Sequence, residues 1–280
     1  MSARDPPANA ELALLLEVAG TPKPGNVDRH RDLEDLRFEH FLAGAVGARD
    51  GLARAATGGP VGAAFERAVA GMADQGGGNT QFGALLLLVP LVAATEDDPP
   101  TGEGVEAVVS ATTVEDARAF YRAFDHVDVF VTDPPEGAGD LDVRRGSDAI
   151  PALESRGLAL SDVMALSAPE DGVAAEWTGG FERTMATADR LVSDDGPVLD
   201  RVADTFLHLL ADAPDTLVAK RHGDDVASAV SERAADLLGA PRKDVEAFAD
   251  ELVDRDINPG TTADVTAAGL YVALQRGLAV

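Results

Sequence analysis

Residues Gly76 to Gly83 read GGGNTQFG, and residues Ala84 to Ala94 follow as ALLLLVPLVAA. Three successive glycines stop a helix, because each loses more backbone freedom on ordering than any other residue. Asn79 or Thr80 then offers a side-chain oxygen to a free N–H one turn on, which marks the start of the next helix. No residue between Asp74 and Glu96 is charged, and Phe82 to Ala94 is apolar on every helical face except at Gly83 and Pro90. A helix of that kind is buried all round. The stretch therefore predicts a central core helix at about residues 80–95. Its apolar part is 13 residues long, short of the roughly 20 that span a bilayer. The turn also has a chemical reading. Free N–H groups near Gly78, Asn79 and Thr80, on backbone without bulky side chains, favour an anionic oxygen such as a phosphate. No Lys-Ser or Lys-Thr follows the glycines, so this is not a Walker A loop. A plain loop with a cap explains the same residues.

Working outward, 280 residues with 45% hydrophobic content suit a domain that buries a substantial core. The chain carries 49 acidic and 23 basic residues, a net charge of −26, and only three of the basic residues are lysines: Lys23, Lys220 and Lys243. So acidic and lysine-poor a surface predicts a protein from a salt-accumulating, halophilic cytoplasm. It also repels nucleic acid and anionic membranes, whose binding rests on clustered Lys and Arg. The absence of cysteine removes disulfides, thiolate nucleophiles and Cys-based zinc sites. Five scattered histidines form no HxxxH pair. Residues 1 to 7 lack a basic region followed by an apolar one, so a cytoplasmic protein is expected.

Helical spacing dominates the rest. Asn9 is placed to cap a helix through Leu12, Leu15 and Leu16, with residues 1 to 8 frayed. Helices are also expected from about Leu33 to Ala56, from Pro60 or Val61 to Ala73, and from Thr113 to Phe124. Glu96 to Gly104 and Asp133 to Asp148 read as loops, and Val127 to Val131 alternates as a short strand does. One strand makes no sheet. We expect an all-α fold, with residues 1–280 forming one multi-helix domain and no internal repeat.

Four segments join irregular backbone to charged or hydrogen-bonding side chains. In TPKPGNVDRHRDLED, from Thr21, two prolines stiffen the loop that carries Lys23. Asp28 and Asp32 lie four apart, so on a helix they share a face and offer oxygen ligands to Mg²⁺; ordinary pairing with Arg29 and Arg31 is the alternative. The second segment is the GGGNT turn. In APDTLVAKRHG, from Ala213, Asp215 and Thr216 start a helix whose basic end holds Lys220 and Arg221. In NPGTTADVTA, from Asn258, Thr261 and Asp264 stand close to capping-box spacing, or Asp264 serves as a ligand or base.

Together the four segments resemble the triphosphoribosyl-dephospho-CoA synthase family. Its members carry TPKPG-x-VD, GG-x-NTHKG, PDTNVLHRGG and PGGSADLLA; this chain has TPKPGNVD, GGGNTQFG, PDTLVAKRHG and PGTTADVTA in the same order. The matches lie toward both ends, and residues 97 to 212 show none. Gln81-Phe82 replaces the family's His-Lys, and Leu217 its Asn, so the chain resembles a divergent, archaeal or halophilic branch.

The resemblance implies an enzyme that moves the triphosphoribosyl group of ATP onto a hydroxyl of dephospho-CoA or a related acceptor, releasing adenine with Mg²⁺ present. On that basis Asp215 and Asp264 are candidates for acid or base. Lys23, Gly78, Asn79, Thr80, Lys220 and Arg221 are candidates for holding the nucleotide, and Asp28 and Asp32 for holding the metal. A nucleosidase or phosphoribosyl transferase of another cofactor pathway, or a helical protein that holds a nucleotide without chemistry, is the alternative. Small-residue helices are compatible with a homodimer.

Overall fold

The computed structural model describes residues 4–95, 98–134 and 137–280. In chain order the α-helices are α1 (Pro6–Ala19), α2 (Phe38–Ala55), α3 (Val61–Met72), α4 (Phe82–Ala93), α5 (Gly102–Ser110), α6 (Val114–Ala123), α7 (Ile150–Arg156), α8 (Leu160–Ser167), α9 (Gly172–Thr178), α10 (Glu182–Ser193), α11 (Val198–Asp212), α12 (Thr216–His222), α13 (Asp224–Asp236), α14 (Arg242–Asp254) and α15 (Gly260–Gln275). Two 3-10 turns, Gly139–Leu141 and Val143–Ala149, precede α7. No strand occurs among the described residues, so the fold is all-α as expected.

The apolar run forms the central helix. From Ala84 to Val92 every side chain of α4 is buried. Asn79 supplies its cap, because Asn79 Oδ1 accepts from the Phe82 N–H at 3.0 Å. Pro90 has no N–H to give, so the Leu86 carbonyl one turn earlier loses its helical partner. Trp177 on α9 replaces it, donating its indole N–H to that oxygen at 3.1 Å. A second helix, α15, is as deeply enclosed, with Val265 to Leu274 all buried. It packs on α1, α4, α10 and α11, and the Tyr271 hydroxyl meets Thr95 Oγ1 at 2.7 Å.

Small residues set the tightest crossing. Gly47 of α2 faces Gly71 of α3 so closely that a Cβ on either would collide with the other's carbonyl. A separate apolar cluster joins α11, α12, α13 and α14 through Phe206, Val218, Val230 and Phe248. Because α11 contributes to this cluster and to the main core, it bridges the two.

Several local expectations are corrected. Asp5, not Asn9, caps α1, accepting from the Ala8 N–H at 2.8 Å, and the helix begins at Pro6, whose missing N–H is harmless there. Of the residues expected to fray, 6 to 8 are helical, whereas 1–3 lie outside the described residues. Residues 33–37 are irregular, and α2 starts only at Phe38. Val127 to Val131 is irregular chain, since no strand among the described residues lies beside it. The loop expected after Glu96 gives way to α5 at Gly102, with Glu96 and Asp97 outside the described residues. The stretch from Asp133 to Asp148 includes the 3-10 turns, and its Pro135 and Glu136 likewise lie outside.

Candidate active site

The four segments singled out in the sequence converge on one cleft of about 280 Å³. The Pro-rich loop contributes Asn26, the glycine turn Asn79 to Gly83, the α12 segment Leu217, Lys220 and Arg221, and the α15 segment Asn258, Gly260, Thr261 and Asp264. Hydrogen bonds tie these loops together across the chain. Asn26 Nδ2 donates to Asn258 Oδ1 at 3.0 Å, and the Thr216 and Thr261 hydroxyls meet at 2.9 Å.

Asp264 sits in the second turn of α15 rather than at its cap, so the capping-box reading does not hold. Its carboxyl presses on Gly83 at the start of α4, where any Cβ would collide with Asp264 Oδ2. The position needs glycine for that reason. The side chain is enclosed by protein on most sides and opens only into the cleft. Burial pushes its pKa well above the usual carboxylate value, the charges of Glu17 and Asp215 push it further, and the Ala84 N–H opposes them. Asp264 therefore holds a proton at a pH where an exposed aspartate has lost it.

Glu17, near the end of α1, lines the cleft beside it. Its Oε1 accepts from the Lys23 ammonium, and the lysine is wholly buried, with Nζ 5.8 Å from the Phe206 ring centre. Burial raises the Glu17 pKa despite the stabilising charge of Lys23. Lys23, expected at a phosphate, does not line the cleft; it is the counter-ion of a buried glutamate.

Asp28 and Asp32 share no helical face, because residues 21–37 are irregular chain. Asp28 is buried, its Oδ2 accepting from the Lys23 N–H and Arg31 Nη1, both at 3.2 Å, and its Oδ1 from the His30 N–H at 2.8 Å. Asp32 is exposed, and its Oδ1 accepts from the Phe38 N–H at 2.8 Å. Neither lines the cleft. Their geometry stiffens the loop around Lys23. Among the described residues no cluster of three or more His, Cys, Asp or Glu side chains is arranged to hold a metal ion.

Asp215 caps α12. Its Oδ1 accepts from the Leu217 and Val218 N–H groups at 2.9 and 3.1 Å, and its Oδ2 from the Thr262 N–H and hydroxyl, both at 2.7 Å. With four donors on two oxygens it joins α12 to α15, and it does not line the cleft. Lys220 does, paired with Asp171, while the Arg221 guanidinium lies 4.7 Å over the Phe130 ring. Gly78 adopts φ +75° and its carbonyl accepts from Gln75 Nε2 at 2.6 Å, whereas Asn79 and Thr80 reach the cleft.

Among the cleft residues that escaped the sequence reading are Glu17, Asp171 and Phe130. Glu17 lies just before the recognised loop in an ordinary amphipathic helix. Asp171 had a legible signal, since Asp-Gly opens α9 and Asp171 Oδ1 accepts from the Val173 and Ala174 N–H groups at 3.0 and 2.9 Å. Phe130 belongs to the segment read as a strand.

In this all-α fold, four segments remote in sequence meet at one cleft whose charged lining includes Glu17, Asp171, Lys220, Arg221 and Asp264. The profile of the ATP:dephospho-CoA triphosphoribosyl transferases (CitG) matches residues 3–279, and the chain belongs to that family. It is a transferase of the triphosphoribosyl-dephospho-CoA synthase type. The fold is similar to the crystal structure of a protein from Archaeoglobus fulgidus described as a triphosphoribosyl-dephospho-CoA synthase, with a TM-score of 0.70 and 25% identity over 85% of this chain and 100% of that one. No curated protein matches the chain.

Proposed function

We propose that this cleft transfers the 5-triphosphoribosyl group of ATP to a hydroxyl of dephospho-CoA and releases adenine. The observation that carries the reading is the convergence of all four family-like segments on one cleft. In this reaction the bond from C1 of the ribose to adenine breaks while a bond from C1 to the acceptor oxygen forms. The ribose passes through a cation-like state, so adenine leaves more readily when protonated and the hydroxyl attacks more readily when its proton is taken.

Asp264 is our donor of the proton to departing adenine, because it is the cleft carboxyl most strongly held in its acid form. Glu17, kept near Lys23, is our acceptor of the hydroxyl proton. Asp215 is a positioning residue that fixes Thr262, and hence the turn of α15 bearing Asp264. Lys220 and Arg221 face the triphosphate.

A cation beside those phosphates is consistent with Asp171, whose Oδ2 already receives the Lys220 ammonium. Mg²⁺ commonly takes one or two carboxylates and completes its shell with substrate phosphates. Asp171 fits that role better than Asp28 or Asp32, because it lines the cleft and they do not. Bound there, the ion would offset phosphate charge in a cleft rich in carboxylates.

The test is adenine release from MgATP in molar KCl, with and without dephospho-CoA, followed by mass analysis of the acceptor. Adenine together with a triphosphoribosyl adduct supports the transfer. Adenine formed equally fast without acceptor would mean hydrolysis instead.

A further inference from the structure

The glycine turn ends in two polar side chains that nothing in the fold satisfies. Gln81 is only 4% exposed, yet neither Nε2 nor Oε1 of its carboxamide has a hydrogen-bond partner, and the Thr80 hydroxyl beside it is likewise buried and unpartnered. Their tips come together over Gly44 of α2, where a Cβ would lie 2.6 Å from Thr80 Oγ1 and 3.0 Å from Gln81 Oε1. A buried carboxamide without partners costs about 1–3 kcal/mol, which a ligand that met both of its groups would recover. Both residues line the cleft.

The chemistry of this corner selects its ligand. Thr80 and Gln81 are neutral, and their tips meet the Met72 side chain over Gly44. A carboxamide presents one donor and one acceptor in a plane, which complements the adenine edge, where an amino group adjoins a ring nitrogen. The neighbouring position strengthens the point. Where the family-like turn carries His-Lys, this chain has Gln81-Phe82, and the Phe82 ring packs against Phe65, Phe120 and Phe124, with centroids 5.1, 6.4 and 4.9 Å away. The His and Lys of the family turn are thus replaced by a neutral amide and an aromatic ring. Gly83, against which Asp264 rests, is two residues further on.

We propose that Thr80 and Gln81 form the base-reading subsite for the adenine of the donor nucleotide, with the Gln81 carboxamide as the residue that selects adenine. The inference rests on the transferase reading above and goes beyond it by assigning selection of the base to Gln81, a position at which this chain departs from the family turn. It also accounts for Gly44, which leaves room for both tips. Dephospho-CoA carries an adenine too, so the two sources must be separated.

The experiment measures dissociation constants by calorimetry for MgATP, for the Mg²⁺ complex of purine riboside 5′-triphosphate, which lacks the amino group, and for dephospho-CoA. Wild-type protein is compared with Gln81→Met. Wild type should bind ATP about ten- to a hundredfold more tightly than the purine analogue, and Gln81→Met should bind the two alike while holding dephospho-CoA as before. Its melting temperature should be equal or higher, because an unsatisfied amide is removed; a merely structural glutamine would lower it. Equal affinity of wild type for the two triphosphates would overturn the proposal without any variant, and so would an effect of Gln81→Met on dephospho-CoA alone. Adenine release by the same preparation separates the two failures. No release with dephospho-CoA present removes the transferase reading and this inference with it, while release without base discrimination removes the inference only.

Discussion

At the scale of single residues, the cleft is organised by carboxyl groups whose protons are displaced by their surroundings. Asp264 has a raised pKa, so between about pH 4 and that pKa the folded protein binds a proton that the unfolded chain has lost. Stability from this group is complete below the unfolded value and falls as pH rises through the folded one. Asp264→Asn should therefore melt higher than wild type at pH 8, show a flatter dependence of melting temperature on pH, and release adenine at least a hundredfold more slowly. A variant that retains wild-type turnover would remove Asp264 from the chemistry. Glu17 and Lys23 make a different prediction. Lys23→Met leaves a buried glutamate unpaired and should cost about 3–5 kcal/mol in urea unfolding, most of it recovered by adding Glu17→Gln. Lysine is rare in this chain and Lys23 is wholly buried rather than surface filler, but it serves Glu17 and not the nucleotide for which it was singled out. Its partner was not legible, because Glu17 occupies an unremarkable helical position and only the fold carries the Pro-rich loop back over α1.

At the scale of elements, the central helix was legible because its signal is local: a glycine stop, a capping Asn79 and an uninterrupted apolar run. The second enclosed helix, α15, was not recognised as core, since its Thr, Ala and Gly residues lack the bulk that marks a buried face. Those small side chains are what allow it to pack on several neighbours; a Cβ at Gly269, for example, would collide with the Thr187 side chain. Asp28 and Asp32 show the opposite error, where regular spacing suggested a helical face that the tight turn closing Asp28 on Arg31 precludes. Pro90 gives a test at this scale. Because Trp177 serves the carbonyl that Pro90 leaves without a partner, Trp177→Phe should destabilise the protein by about 1–3 kcal/mol beyond any packing loss. The Gly47–Gly71 crossing gives another. Gly47→Ala should separate α2 from α3 and cost about 1–3 kcal/mol or more, read as a lower urea midpoint.

At the scale of the whole molecule, a net charge of −26 opposes compaction at low ionic strength. Exposed carboxylates repel one another over a Debye length of about 10 Å at 0.1 M salt and about 3 Å at 1 M. The melting temperature should therefore rise steeply between 0.1 and 1 M KCl; a flat response would show that surface repulsion is already balanced by the surface ion pairs. Across the same molecule, residues remote in sequence close the N-terminal loop: Arg31 Nε donates to Asp250 Oδ1 at 2.6 Å, Arg242 Nη2 to the Thr21 carbonyl at 2.8 Å, and Asn26 to Asn258. This closure bears on the order of synthesis. A ribosome delivers Glu17 and Lys23 more than two hundred residues before Asn258 and Asp264. Until α15 emerges, the nascent chain holds an apolar α4 with one of its main packing surfaces missing and a loop without its distant clamps. The site is thus among the last parts of the protein to assemble, and a chain truncated before α15 would have neither Asp264 nor the helix that seals its core.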